Sequence, residues 1–212
     1  MKYDAVIFDL DGVICHTDQY HYQAWKAIAD QYGIYFDEAI NNRLRGVSRM
    51  ESLNIILEAQ PERFCVEEKE ALCAKKNKIY QELLQGLSPN DVEAAVDKTL
   101  STLRQKGVKL AIASSSKNAR FILDKLDLMH RFDVVVDGNQ ITKSKPDPQV
   151  FVLAAQTLGV QTKKCLVVED SVAGVVAAKA GGMDCAGLLE AGQDKRCDHS
   201  LNSLDEILNF LQ

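Results

Sequence analysis

The chain has 212 residues, 46% of them hydrophobic and 26% charged, with a formal net charge of −5. That length suits one large domain or a core carrying a smaller insert. The acidic balance argues against nucleic acid or an anionic membrane as partner. No apolar run reaches bilayer-spanning length, and Met1-Lys2-Tyr3-Asp4 lacks the basic-then-apolar order of a secretion signal. The six cysteines, Cys15, Cys65, Cys73, Cys165, Cys185 and Cys197, show no Cys-x-x-Cys spacing. They read as free thiols, mostly core filler, and a cytoplasmic location is expected.

The first strand is expected over residues 3–10, where an apolar run ends in Asp9-Leu10-Asp11-Gly12. A continuous apolar run is the mark of a buried parallel strand. Tyr20, Ala24, Ala27 and Ile28 then recur at helical spacing until Gly33. Asp37 is placed to cap a short helix reaching toward Leu44. Ser48-Arg49-Met50-Glu51 has capping-box spacing ahead of Leu53, Ile56 and Leu57. A longer helix is expected over 66–85, stopped by Gly86. Residues 16–87 therefore read as an all-helical block. After Ser88-Pro89-Asn90-Asp91 the pattern changes to helices at 92–106, 118–126, 149–158 and 171–180, between strands at 108–113, 132–136, 165–168 and 185–189. A weak edge strand near Leu201 and a helix over 204–211 finish the chain. Alternating short apolar strands and amphipathic helices predict an α/β fold: a doubly wound, Rossmann-like parallel sheet. The core is then 1–15 plus 88–212, and 16–87 is an inserted α-helical cap domain on linkers near Cys15 and Leu87.

Four polar clusters follow four of these strands: Asp9-Leu10-Asp11-Gly12, Ser114-Ser115-Ser116-Lys117-Asn118, Lys143-Ser144-Lys145-Pro146-Asp147-Pro148 and Glu169-Asp170-Ser171. Parallel strands bring all four to one sheet edge. Asp9 and Asp11 repel unless a cation lies between them or one carboxyl keeps its proton. The serines suit either a phosphate cradle or a plain turn. Glu169-Asp170 suits either a metal or the cap of the next helix. Together the inventory fits Mg²⁺-assisted phosphoryl transfer, since Mg²⁺ favours oxygen ligands shared with phosphate.

Asp-x-Asp-Gly-Val, then Ser, then Lys-Pro, then Glu-Asp resembles the pattern of haloacid-dehalogenase-like phosphotransferases over the whole chain. The resemblance implies Asp9 as nucleophile, forming an aspartyl phosphate, and Asp11 as general acid/base whose backbone carbonyl helps hold one Mg²⁺. It implies Ser114 and Lys145 at the phosphate, and Glu169 and Asp170 at the metal. Within the insert, Thr17, His21, Trp25, Lys26, Leu44-Arg45-Gly46-Val47-Ser48-Arg49 and Ser52 resemble the β-phosphoglucomutase family. So do Lys76-Asn77 and Ser114-x-Ser116-Lys117-Asn118. This implies catalytic parts for Thr17 and His21. It implies sugar-phosphate contacts from Trp25, Arg45, Gly46, Val47, Arg49, Ser52, Lys76, Ser114, Ser116, Lys117 and Asn118. It also implies a β-glucose 1,6-bisphosphate intermediate linking β-glucose 1-phosphate to glucose 6-phosphate. The expected partner is a small sugar phosphate and the expected state a monomer.

Lys76 interrupts the stripe Leu72, Ile79, Leu83, so it faces a side expected to be buried. Departures from the family are Arg45 where lysine is usual, Glu93-Ala94-Ala95-Val96 in place of Pro-Gly, and a short, divergent region 189–198. A magnesium-dependent phosphatase of the same superfamily is the alternative activity, and a catalytically dead relative a third class.

Overall fold

The computed structural model describes residues 2–210. Six parallel strands form one sheet: β1 (Ala5–Phe8), β2 (Lys109–Ala113), β3 (Val134–Val136), β4 (Cys165–Glu169), β5 (Asp184–Gly187) and β6 (His199–Ser200). Their order is β3-β2-β1-β4-β5-β6. The direction of winding reverses between β1 and β4, which opens a crevice beyond their carboxyl ends. Register fixes what meets there: Phe8 lies beside Ile112 and Val168, so the residues after each strand emerge together.

Alternate strand residues serve opposite faces. Val6, Phe8, Ile112 and Val168 pack with Val96, Leu100 and Leu103 of α5 (Ala94–Gln105) and with Ile122 and Leu123 of α6 (Ala119–Lys125). Ala5, Ile7, Ala111 and Val167 pack with Phe151 and Ala154 of α7 (Gln149–Leu158) and Val175 and Ala178 of α8 (Val172–Ala180). Both faces are covered by helices, as an all-parallel sheet requires.

Between β1 and α5 lie α1 (Asp18–Tyr32), α2 (Glu38–Asn42), α3 (Arg49–Ile56) and α4 (Val66–Leu84). Their caps are the ones expected: Asp37 Oδ1 accepts from Ile40 N at 2.9 Å and Ser48 Oγ from Glu51 N at 3.2 Å. Trp25, Ile28, Leu53, Ile56 and Leu72 make a hydrophobic cluster of the insert's own. Each such buried side chain contributes about 1.5–3 kcal/mol, while Ala24 of α1 and Tyr80 and Leu84 of α4 join the cluster on the sheet. The two connections run side by side, and His16 Nε2 meets Glu93 Oε1 at 2.9 Å across them.

Several expectations shift, β1 and β3 being shorter than the runs 3–10 and 132–136. The helix expected from 92 begins at Ala94. Ser88 and Asp91 close their own short turn, with Ser88 N and Oγ donating to Asp91 Oδ2 at 2.8 and 2.9 Å, and Val92 is extended. The fifth strand stops at Gly187 because Leu189 takes a left-handed turn at φ 48°. The edge strand is two residues, His199–Ser200. The terminal helix is a 3-10 segment, Leu204–Phe210, and Leu211 lies outside the described residues. Among the described residues no helix is long and apolar enough to cross a membrane.

Candidate active site

Asp9 follows β1 directly, its amide donating to Val168 O at 2.9 Å on the neighbouring strand. Lys145 arrives from the loop between β3 and α7. Its buried ammonium donates to Asp9 Oδ1 and to Glu169 Oε1, each at 2.5 Å. Burial alone would lower the pKa of Lys145, but the two carboxylates outweigh it and hold the lysine protonated. Glu169 spends its other oxygen on the turn behind it. Oε2 accepts from Asp170 N, Ser171 N and Ser171 Oγ at 2.9, 2.8 and 2.9 Å. Glu169 therefore anchors Lys145 and the start of α8.

Asp170 is strongly changed by this setting. Burial, then the charges of Glu169 and Asp9, push its carboxyl up to about 9. Burial also raises Asp9, with Lys145 opposing and Glu169 and Asp11 adding to the rise. Asp9 and Glu169 thus share one buried lysine, and Asp170 meets Arg45. Gly12 passes so close that a Cβ there would collide with the Asp170 carboxylate. Among the described residues no three His, Cys, Asp or Glu side chains already converge as a metal cluster. The donor chemistry nonetheless fits a hard divalent cation: oxygen only, anionic in excess, and shielded from water. Both Glu169 oxygens are engaged by Lys145 and the turn, so Asp9 and Asp170 are the carboxylates that would hold such a cation, with Glu169 behind them. The Asp11 carboxylate is turned elsewhere, accepting from buried Thr17 Oγ1. Burial raises it to about 6, against the Thr17 hydrogen bond.

The serine run closes turns and also lines the cavity. Ser114 Oγ accepts from Ser116 N at 3.0 Å and Ser116 Oγ from Asn118 N at 3.2 Å, closing successive turns. A hydroxyl that accepts still has its proton to donate, and Ser114, Ser116 and Lys117 line the cavity. Asn118 is committed to the insert: Nδ2 donates to Asn77 Oδ1 at 2.9 Å and Oδ1 accepts from Gln81 Nε2 at 3.0 Å.

The insert forms the roof. Lys76, 1% exposed, points inward as its place in the stripe required. Its ammonium lies 2.8 Å from His21 Nδ1, and 4.3 and 5.3 Å from the ring centroids of Tyr80 and Trp25. Burial, with Arg49 nearby, lowers Lys76 to about 7. Burial and Lys76 push His21 well below its usual value, so the imidazole is neutral with Nδ1 as acceptor. Trp25 belongs to the insert's core yet lines the cavity, as do Gly46, Val47, Arg49 and Ser52. Arg45 lines it too, but its guanidinium is held by Asp18 and Asp170.

Roof and floor enclose about 540 Å³, within the usual range for a small-molecule site. One end carries Asp9, Ser114 and Asp170; the roof presents Arg49, Ser52 and Lys76. Sequence reasoning missed Asp18, Tyr80 and Gln81, and gave Ser115 and Ser171 no part beyond membership of their clusters. Ser115 Oγ donates to Gly46 O at 3.0 Å, joining core to insert. The divergent region and the residue before it brace the floor from behind: Leu188 N donates to Glu169 O at 2.7 Å, and Ala191 N, within the region, to Asp170 O at 3.1 Å.

Comparison with known proteins agrees with this geometry. Residues 3–182 match the family model described as haloacid dehalogenase-like hydrolase. The chain is 42% identical over 186 residues to the β-phosphoglucomutase of Bacillus subtilis, covering 87% of this chain and 82% of that one. It is 34% identical over 223 residues to a phosphorylated carbohydrates phosphatase of Thermotoga maritima, covering 99% and 98%. The crystal structure of a β-phosphoglucomutase from Clostridium difficile superposes with a TM-score of 0.92 at 34% identity, covering 97% of this chain and 93% of that one. With the fold, the strand-end clusters and these matches in agreement, the chain belongs to the haloacid dehalogenase-like hydrolase family.

Proposed function

We propose that this chain is a β-phosphoglucomutase, interconverting β-D-glucose 1-phosphate and β-D-glucose 6-phosphate through phosphorylated Asp9 and a β-glucose 1,6-bisphosphate intermediate. The observation that carries this is a cavity with two phosphate-suited ends. Ser114 and the Lys145–Asp9 pair lie on the floor, and Arg49, Ser52 and Lys76 on the roof. A bisphosphorylated sugar needs both ends, and a simple phosphoester needs one.

In this reading Asp9 attacks phosphorus, and the P–O bond to the sugar breaks as the Asp9–phosphorus bond forms. Asp11, with its raised pKa, gives its proton to the departing sugar oxygen. The sugar freed when the 1-phosphate of the bisphosphate is taken is glucose 6-phosphate, which leaves. The 6-hydroxyl of a fresh β-glucose 1-phosphate then attacks phospho-Asp9 while Asp11 takes its proton and the Asp9–phosphorus bond breaks. The bisphosphate so formed turns over to present its 1-phosphate to Asp9. Mg²⁺ bound by Asp9, Asp170 and the Asp11 carbonyl would neutralise charge on the transferring group. Lys145 keeps Asp9 in place and offsets the floor's negative charge. Thr17 holds the Asp11 carboxylate aside, where it gives water no help as an acceptor. Sugar-phosphate contacts to Arg49, Ser52 and Lys76 would bring the roof down and Asp11 into use.

A phosphatase acting on phosphorylated carbohydrates is the second reading. It is favoured by the near-full-length similarity to the Thermotoga enzyme of that name, and it shares every step up to phospho-Asp9. Phosphorus NMR of β-glucose 1-phosphate with enzyme, Mg²⁺ and a trace of bisphosphate separates the two. Glucose 6-phosphate as main product supports the mutase, and accumulating inorganic phosphate supports the phosphatase.

A further inference from the structure

Arg45 lies in the loop between α2 and α3, and its two terminal nitrogens serve different carboxylates. Nη1 donates to Asp170 Oδ2 at 3.1 Å and Nη2 meets Asp18 Oδ2 at 2.9 Å. The Asp170 side chain is 4% exposed there and that of Arg45 24%. This is a largely desolvated contact between insert and core, and it engages one of the two carboxylates left for a metal. The loop is seated closely: a Cβ on Gly46, whose φ is +75°, would lie 2.6 Å from Ser171 Oγ, and Ser115 holds the Gly46 carbonyl.

A guanidinium is a rigid planar fork that bridges two carboxylates at once, where an ammonium is a single point charge. Seated against Asp170, it donates a hydrogen bond to that carboxyl. It also repels a second cation approaching the same group, strongly so where water is scarce. Around Asp170 the other charged groups are Glu169 and Asp9, already sharing Lys145, and Asp18, sharing Arg45. Arg45 is the cation there that comes from the insert.

We propose that Arg45 is a competitor of the divalent metal for Asp170, so that docking of the 44–47 loop and metal binding oppose each other in the sugar-free enzyme. The inference rests on the metal reading of Asp170 given above. Coupling between two binding events is reciprocal. Removing Arg45 therefore tightens the metal, and adding the metal loosens the loop. Lysine at this position keeps the charge and loses the bridge, so it gives an intermediate state.

The test is a titration of the full chain with Mn²⁺ alone, free Mn²⁺ being read by electron paramagnetic resonance, for wild type, Arg45→Lys, Arg45→Ala and Asp170→Asn. Arg45→Ala is expected to bind Mn²⁺ about 5-fold or more tightly than wild type, the lower end of typical coupling. Arg45→Lys should fall between them and Asp170→Asn should lose the site. Hydrogen exchange gives the reciprocal readout: saturating Mg²⁺ should speed exchange at amides 44–47 in wild type and leave Arg45→Ala, already fast, unchanged. Equal or weaker Mn²⁺ binding in both Arg45 variants, with binding still lost in Asp170→Asn, overturns the competition and leaves the metal reading standing. Wild-type affinity in Asp170→Asn overturns the metal reading and the competition with it.

Discussion

Asp170→Asn in the metal-free protein should stabilise the fold at neutral pH and lose that advantage in acid. In the folded chain Asp170 is raised to about 9 by burial and by the Glu169 and Asp9 charges, whereas an unfolded aspartate titrates near about 3.9. Between those values the folded state holds a proton that the unfolded state has released. Stability therefore falls as pH rises through this window. Each unit is worth about 1.4 kcal/mol, so about pH 7.5 the wild type carries a cost of up to about 5 kcal/mol. Asparagine has no charge to suppress, its oxygen can still accept from Arg45, and its amide can donate to a neighbouring carboxylate. Urea melts in excess chelator should show the variant more stable by about 2 kcal/mol or more near pH 7.5, and by under about 1 kcal/mol near pH 4.5. Titrating groups away from the floor are common to both proteins and cancel in the difference, while Asp9 and Glu169, which interact with Asp170, shift with it. A gap that stays constant with pH, or that widens in acid, refutes the electrostatic reading of the floor.

Lys145→Ala should cost about 3–5 kcal/mol in a chelator-treated melt, because it leaves Asp9 and Glu169 buried without their partner; a cost below about 1 kcal/mol would show that the contact is dispensable. Asp9→Asn should abolish phosphoryl transfer while its far-ultraviolet circular dichroism matches wild type; activity near wild type would remove the covalent step. Arg49→Ala should lose about 10- to 100-fold in kcat/KM with the bisphosphate, the worth of a charged contact, with a smaller loss when a small phosphodonor phosphorylates Asp9. Equal losses with both donors would make Arg49 structural. Chelation should stop turnover and added Mg²⁺ restore it; full activity in excess chelator would contradict the assignment of Asp9 and Asp170.

Much of this was legible because the fold turns sequence order into spatial order. A parallel sheet aligns the residues after its strands, so Asp9, Ser114, Lys145 and Glu169-Asp170 could be gathered from strand placement alone. Lys76 was legible from periodicity: a charge in an apolar stripe must face something, and it faces His21 and the cavity. What stayed hidden depends on angles between bodies that no local pattern encodes. Asn118 is expected at the sugar phosphate, yet its amide bridges to Asn77 and Gln81 on the insert. Asp18 reads as an ordinary first-turn acid, favourable at a helix start, yet it shares Arg45 with the floor. The terminal helix failed because the segment closes in 3-10 geometry against α5, which periodicity does not distinguish over seven residues.

The central claim is that phospho-Asp9 prefers a sugar hydroxyl to water, and a chase measures that preference directly. Enzyme labelled on Asp9 by a small ³²P-phosphodonor with Mg²⁺ is mixed either with β-glucose 1-phosphate or with buffer alone. The label is then followed in sugar bisphosphate, inorganic phosphate and protein. The mutase reading predicts rapid passage of label to the bisphosphate and slow release to water, by a factor of about 100 or more, since sugar binding is what brings Asp11 into use. Equal release of labelled inorganic phosphate with and without the sugar phosphate would contradict it and make the chain a phosphatase.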